Sequence, residues 1–173
     1  MPIYTAVIQG DTGVSAAAGG SDQFFLQAPA TIRNRIREIR IGQFSDFGDP
    51  ATTAEILGVR VIRYRTTDTG GEPSGGVAIV PRNIHSWADT GGYSSIVSRS
   101  HDILATDTGV AGNVTEVLIS DAFNIAAGWW YYPPEEEMII LDFSDRLVVR
   151  MSKAADVLTM NGTLVIEEMV GPV

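Results

Sequence analysis

The sequence predicts an all-β chain, a jelly-roll-like antiparallel β-sandwich of roughly eight to ten strands. Three observations predict it. Eighteen glycines and eight prolines recur with other turn residues at short intervals, which cuts the chain into strand-length pieces. Between those turns the apolar residues alternate with polar ones or run continuously over a strand length. The strand-length pieces number roughly eight to ten, as expected of a jelly roll or related sandwich, and no internal repeat of fixed period is visible. A chain of 173 residues is the size of one domain and long enough to bury about two thirds of its unfolded surface. Residues 1–173 are therefore expected to form a single β-sandwich domain.

Residues 3–9 alternate and read as a first strand, ended by Gly10, Asp11, Thr12 and Gly13. The Ala/Gly-rich stretch 14–21 has one large apolar residue, Val14. Residues 1–21 are thus expected as a strand followed by a flexible arm. Residues 23–27, QFFLQ, form a second strand stopped by Pro29. The stretch TIRNRIREIRIGQF is ambiguous: Ile32, Ile36 and Ile39 fit a helical stripe, whereas Ile39 and Ile41 fit strand alternation. Recurrent β-branched residues assign its second half to a strand, ended at Gly42.

SDFGDPATT, residues 45–53, is a loop by composition. Residues 57–65 are the clearest strand, with Leu57, Val59 and Val61 on one face and Arg60, Ile62 and Tyr64 on the other. Apolar groups on both faces place it centrally. TTDTGGEPSGG, 66–76, is a turn, and 77–80 a short strand ended by Pro81. Residues 83–108 are irregular, with a short strand at 95–99. Residues 114–120 alternate again, and 123–125 lead into the aromatic block GWWYYPPEEEMIILDFSDRLVVRM. Residues 138–143, 146–151 and 163–167 read as strands separated by Ser144-Asp145 and by Asn161-Gly162. Two hairpins are the economical expectation, Asn-Gly being a strong hairpin signal.

Twelve basic and 21 acidic residues give a net charge of −9, the wrong sign for gripping phosphates, so no nucleic-acid partner is expected. The absence of cysteine excludes disulfides, thiolate metal sites and a cysteine nucleophile. No stretch approaches the roughly 20 apolar residues of a membrane span, and the N-terminus lacks the features of a signal peptide. No membrane partner is expected, and synthesis is expected in the cytoplasm.

His85 and His101 stand apart without metal-ligand spacing and read as ordinary turn or surface histidines. Asp46, Asp49 and Glu55 match no calcium-loop spacing and read as a solvated acidic loop. No serine sits in a nucleophile elbow, and the glycine turns at 10–13 and 19–20 lack the Lys-Ser/Thr of a phosphate loop. Glu135, Glu136 and Glu137, with Glu167 and Glu168, are paired carboxylates in sequence, as glycosidases use, but read more simply as solvated charge runs. Asn113 and Asn161 head glycosylation triplets that, without a secretory signal, read as turns. No catalytic residue, metal or cofactor is expected.

Trp129, Trp130, Tyr131 and Tyr132 are the candidate interface. In an extended strand Trp129 and Tyr131 face one way while Trp130 and Tyr132 face the other, so one pair is core and the other needs a partner. A neighbouring subunit is the first choice, because aromatic anchors are common at interface centres.

The blocks REIRIGQFSDFGD, AEILGVRVIRYRTT, SDAFNIAAGWWYYPPEEEM and RLVVRMSKAADVLTMNGTLVIEE resemble, in this order, a group of phage and prophage virion-associated proteins. The resemblance spans most of 32–168 and carries over no active-site residue. Such proteins resemble jelly-roll cement, or decoration, proteins that sit as trimers on capsids. The resemblance implies a structural virion protein on the capsid surface, a homotrimer of jelly rolls that partners the major capsid protein and bridges coat subunits. The alternative is a carbohydrate- or receptor-binding β-sandwich module of a phage particle, with Trp130 and Tyr132 as the platform.

Overall fold

The computed structural model describes residues 1–14, 20–43, 56–65, 77–84, 96–99, 115–152 and 158–169. The expected loops at 45–53 and 66–76, the arm residues 15–19 and most of 83–108 lie outside them. Twelve strands are described: β1 (Ile3–Val14), β2 (Ser21–Gln27), β3 (Arg33–Gln43), β4 (Ile56–Tyr64), β5 (Val77–Ala78), β6 (Arg82–Asn83), β7 (Ile96–Arg99), β8 (Thr115–Asn124), β9 (Trp129–Tyr131), β10 (Ile139–Leu141), β11 (Arg146–Met151) and β12 (Leu158–Met169). A single 3₁₀ turn, Glu135–Glu137, separates β9 from β10. The count exceeds the expected range because β5 and β6 are only two residues long.

The strands form two antiparallel sheets in a sandwich. Sheet A runs β10-β3-β12-β1-β6, with β9 also paired to β3, and sheet B runs β5-β7-β2-β11-β4-β8. Consecutive strands switch sheets: β1 and β3 lie in A, β2 and β4 in B. The first strand pairs with the last, Ile3 opposite Glu167, and the second with the last but one, Leu26 opposite Leu147. Between the sheets, Ile36, Ile39 and Leu164 of A meet Phe24, Val59 and Leu147 of B in one apolar core.

Strand β4 has the two faces its alternation predicts. Leu57, Val59 and Val61 enter the core, while Ile62 and Tyr64 are buried on the opposite face with Phe25 and Val148. It pairs on both sides, with β11 and β8. On that same outer face of sheet B, the wholly buried Asp22 carboxylate accepts two hydrogen bonds from Arg150, at 2.7 Å to Nε and 3.1 Å to Nη2.

Strand β1 runs through the turn expected at 10–13 as far as Val14, and three further expectations are corrected. The whole of 33–43 is strand, not its second half alone. A bulge opposite Val165 and Ile166 inserts one residue, so Val165 faces Glu38 and Ile166 faces Ile36. Ile36 and Ile39, three apart, thereby both point into the core, which explains the helix-like spacing.

The two expected hairpins are also absent. β10 lies in sheet A and β11 in sheet B, so Ser144-Asp145 is a corner between sheets. There Ser144 takes φ 62°, and the Asp145 carboxylate accepts the Asp142 N–H at 3.2 Å. Burial pushes the Asp145 pKa up. Asn161-Gly162 lies inside the continuous strand β12, paired with Gly42 and Ile41 on one side, and Gly162 with Ile8 on the other. Pairing on both flanks overrides the turn preference of the dipeptide.

Gly162 is required by a close approach. A Cβ there would lie 2.9 Å from the Phe24 ring and 3.2 Å from the Arg40 carbonyl oxygen, and Phe24 is fully buried and cannot retreat. Gly162→Ala is expected to destabilise the protein by about 1–3 kcal/mol through overpacking. Urea unfolding measures it, and a gain in stability would refute the contact.

The third correction concerns Glu167 and Glu168. They are not a solvated run but buried residues of β12. Glu167 Oε2 lies 3.0 Å from Arg37 Nη1 and 3.7 Å from Arg35 Nη1, which compensates its burial.

Candidate functional site

The site is built on the outer face of sheet A, where four strands lie side by side. Val7 of β1 is opposite Thr163 of β12, Thr163 is opposite Arg40 of β3, and Arg40 is opposite Trp130 of β9. Directly opposed residues share a face. The register therefore makes a row of Val7, Thr163, Arg40 and Trp130, about 14 Å long at the usual strand spacing. The next row carries Asn161 opposite Gly42.

Gly128 brings β9 into place. It adopts φ +73°, and a Cβ there would lie 3.0 Å from the Ile41 carbonyl oxygen, so glycine alone allows the approach. From it the aromatic residues alternate. Trp129 enters the core, and its indole Nε1–H donates to Asp121 Oδ2 at 3.0 Å. That bond and the Ala122 N–H hold the Asp121 carboxyl below its usual range. Tyr131 is half-buried and donates its hydroxyl to the Glu137 carbonyl at 3.2 Å; burial pushes its phenol up.

Trp130 and Tyr132 face solvent, 64% and 70% exposed. Their ring centroids lie 6.2 Å apart with planes tilted 40°. Of the four residues of the candidate interface, these two alone are free to meet a partner. Trp130 is nevertheless fixed. Its Nε1–H donates to Glu38 Oε1 at 2.7 Å, and the Arg40 guanidinium sits over its ring, Cζ 5.1 Å from the centroid. Arg40 Nε also donates to Glu38, which raises the Arg40 pKa. The bulge in β3 turns both Glu38 and Arg40 outward to make this triad.

Beside the triad lies an open depression of about 620 Å³, lined by Val7, Arg40, Gly42, Asn161 and Thr163. Its floor is Gly42, where a Cβ would meet nothing within 4 Å. Among the described residues, the Asn161 amide and Thr163 hydroxyl have no hydrogen-bond partner. Elsewhere on this face Arg35 pairs with Glu135 at 2.7 Å and Arg33 with Asp142 at 2.7 Å, so the arginines of β3 are neutralised one by one.

Glu135, Glu136 and Glu137 form the exposed 3₁₀ turn. His85, His101, Asp46, Asp49, Glu55 and Asn113 lie outside the described residues, among which no group of three His, Cys, Asp or Glu is placed to hold a metal. No helix among the described residues is long and apolar enough to cross a membrane. Comparison of the chain with family models, curated proteins and solved structures returned no match.

Sequence reasoning found Trp130 and Tyr132 but missed Glu38, Arg40, Gly42, Asn161 and Thr163. Their one visible signal is a glycine inside a strand pattern, which marks a close approach or a ligand as well as a strand end.

Proposed function

We propose that the protein is a structural component of a phage particle, a cement protein of the capsid surface that acts as a homotrimer and bridges subunits of the major capsid protein. The observation that carries an assembly role is the edge strand β8. The outermost strands of the other edges are short: β5 and β6 are two residues each, so that β6 covers only Tyr4 and Thr5 of β1, and β9 and β10 are three each with Pro133, Pro134 and a 3₁₀ turn between. β8 runs for ten residues and, among the described residues, pairs on one side only.

Such an edge is a template for another chain unless it is guarded by charge or proline. β8 has no proline or lysine, and Val117 is exposed. Both of its acids are held by partners within the chain. Glu116 is held by Arg63 and Arg65, which lowers its pKa, and Asp121 by Trp129. An open edge whose acids are already paired within the chain suits a chain that binds neighbours in a shell.

The phage assignment is supported by the resemblance of the four sequence blocks. The strand order supports the jelly-roll form: β1-β12-β3 with β9 and β10 faces β2-β11-β4-β8, as when one long hairpin is rolled into two Greek keys.

The test is light scattering followed by sedimentation with empty capsids. The wild-type chain is expected to be a trimer that pellets with the shells. Ser120→Lys with Ala122→Lys, two cations on the exposed edge, is expected to remain in the supernatant with an unchanged melting temperature. A wild-type monomer that ignores capsids would sink the reading.

A further inference from the structure

We infer that the depression around Gly42, together with the exposed Trp130 ring on the far side of Arg40, is a binding site for a neutral glycan. The inference goes beyond the assembly reading and does not depend on it, since the site faces away from sheet B. Four features converge there.

The first is shape. Gly42 is not needed for its backbone: it has no left-handed φ, and a side chain would meet nothing within 4 Å. Its lack of a side chain opens the depression and leaves the surrounding side chains as a rim. The depression is open rather than enclosed, which suits a polymer lying across the sheet better than a small molecule that must be largely engulfed.

The second is the aromatic ring beside the depression. The Trp130 ring is largely exposed yet cannot swing, because Glu38 holds its indole N–H and Arg40 lies over the ring. A pre-set ring loses little entropy on binding. A pyranose offers the C–H-rich face such a ring takes up.

The third is the polar set. The Asn161 amide and Thr163 hydroxyl, without a partner among the described residues, each donate and accept, and the Arg40 guanidinium donates. Sugar hydroxyls also donate and accept, so every group of the set finds a counterpart. A purely apolar ligand would leave the Asn161 amide and the Thr163 hydroxyl unmet.

The fourth is charge. Among the described residues lining the site the one cation, Arg40, is matched by Glu38, and the whole chain carries −9. An acidic polysaccharide would meet no free positive charge and a repulsive field. A neutral chain avoids both costs.

The experiment uses the full chain on a printed array of neutral and acidic glycans, followed by calorimetric titration with the neutral oligosaccharide that gives the strongest signal. Wild-type protein is expected to retain neutral glycans. Gly42→Leu fills the depression at a position that tolerates a side chain, and is expected to abolish binding while the melting temperature holds. Trp130→Ala is expected to weaken binding about tenfold or more, as loss of one stacking partner does, and Trp130→Phe to recover part of it. Silence across the array, binding of acidic glycans only, or binding unchanged in a folded Gly42→Leu variant would each overturn the site. Trimer formation and capsid sedimentation are read separately, so failure here leaves the assembly reading standing, and the reverse.

Discussion

Val61→Asp is expected to leave most of the chain unfolded. Val61 is wholly buried in β4, flanked in the sheet by Val149 and Ile119, so the new carboxyl would have only apolar neighbours. Loss of a buried valine costs about 2 kcal/mol. A carboxyl desolvated without a partner adds several kcal/mol more, whether it stays charged or takes up a proton. Together these approach the whole stability of an ordinary domain, about 5–15 kcal/mol. Glu136→Lys, on the exposed 3₁₀ turn, is the control and is expected to stay within about 0.5 kcal/mol of wild type. Urea unfolding of the two variants checks this; equal midpoints would overturn the placement of the core.

Asp22→Ala is expected to cost about 3–5 kcal/mol, the usual penalty for removing one member of a buried ion pair. The Asp22 carboxylate is fully buried and takes both hydrogen bonds of the Arg150 fork, an arrangement that Asn can only half reproduce. Part of the penalty arises from the guanidinium, which loses its charge partner and keeps its contact with Tyr64. Adding Arg150→Met to Asp22→Ala is therefore expected to recover a large part of the loss, since apolar replacement of a whole buried pair is often close to neutral. A double variant as unstable as the sum of the singles would show that the two groups act independently.

The class of fold was legible because burial in a sandwich follows the alternation of the strand. Leu57, Val59 and Val61 announced one face of β4, and Ile62 with Tyr64 the other. What was not legible was anything that depends on a neighbour distant in sequence. Ile36 and Ile39 looked helical because the bulge that brings both inward is defined by Val165 and Ile166 of another strand. Asn161-Gly162 looked like a turn because nothing near it in sequence reveals Phe24, whose ring needs the missing side chain. Glu167 looked solvated for the same reason: its arginines are on β3.

The candidate site divides along the same line. Alternation alone separates Trp130 and Tyr132 from Trp129 and Tyr131. The triad of Glu38, Arg40 and Trp130 exists only once β9 docks on β3. Asn161 and Thr163 become neighbours of Arg40 only through the register of β12. A site made across four strands leaves no motif in any one of them.

The pairing of the first strand with the last also governs how the chain is made. β1 leaves the ribosome early, but its main partner, β12, is synthesised about 150 residues later, and translation at about 5–20 residues per second separates the two by several seconds or more. Until β12 emerges, the apolar face of Tyr4, Ala6 and Ile8 has no lasting cover. Folding must then close the longest loop the chain allows, which for such topologies takes on the order of milliseconds to seconds. The nascent β1 is thus the segment most in need of a chaperone, and a truncation that removes β12 turns a sandwich strand into an aggregation seed.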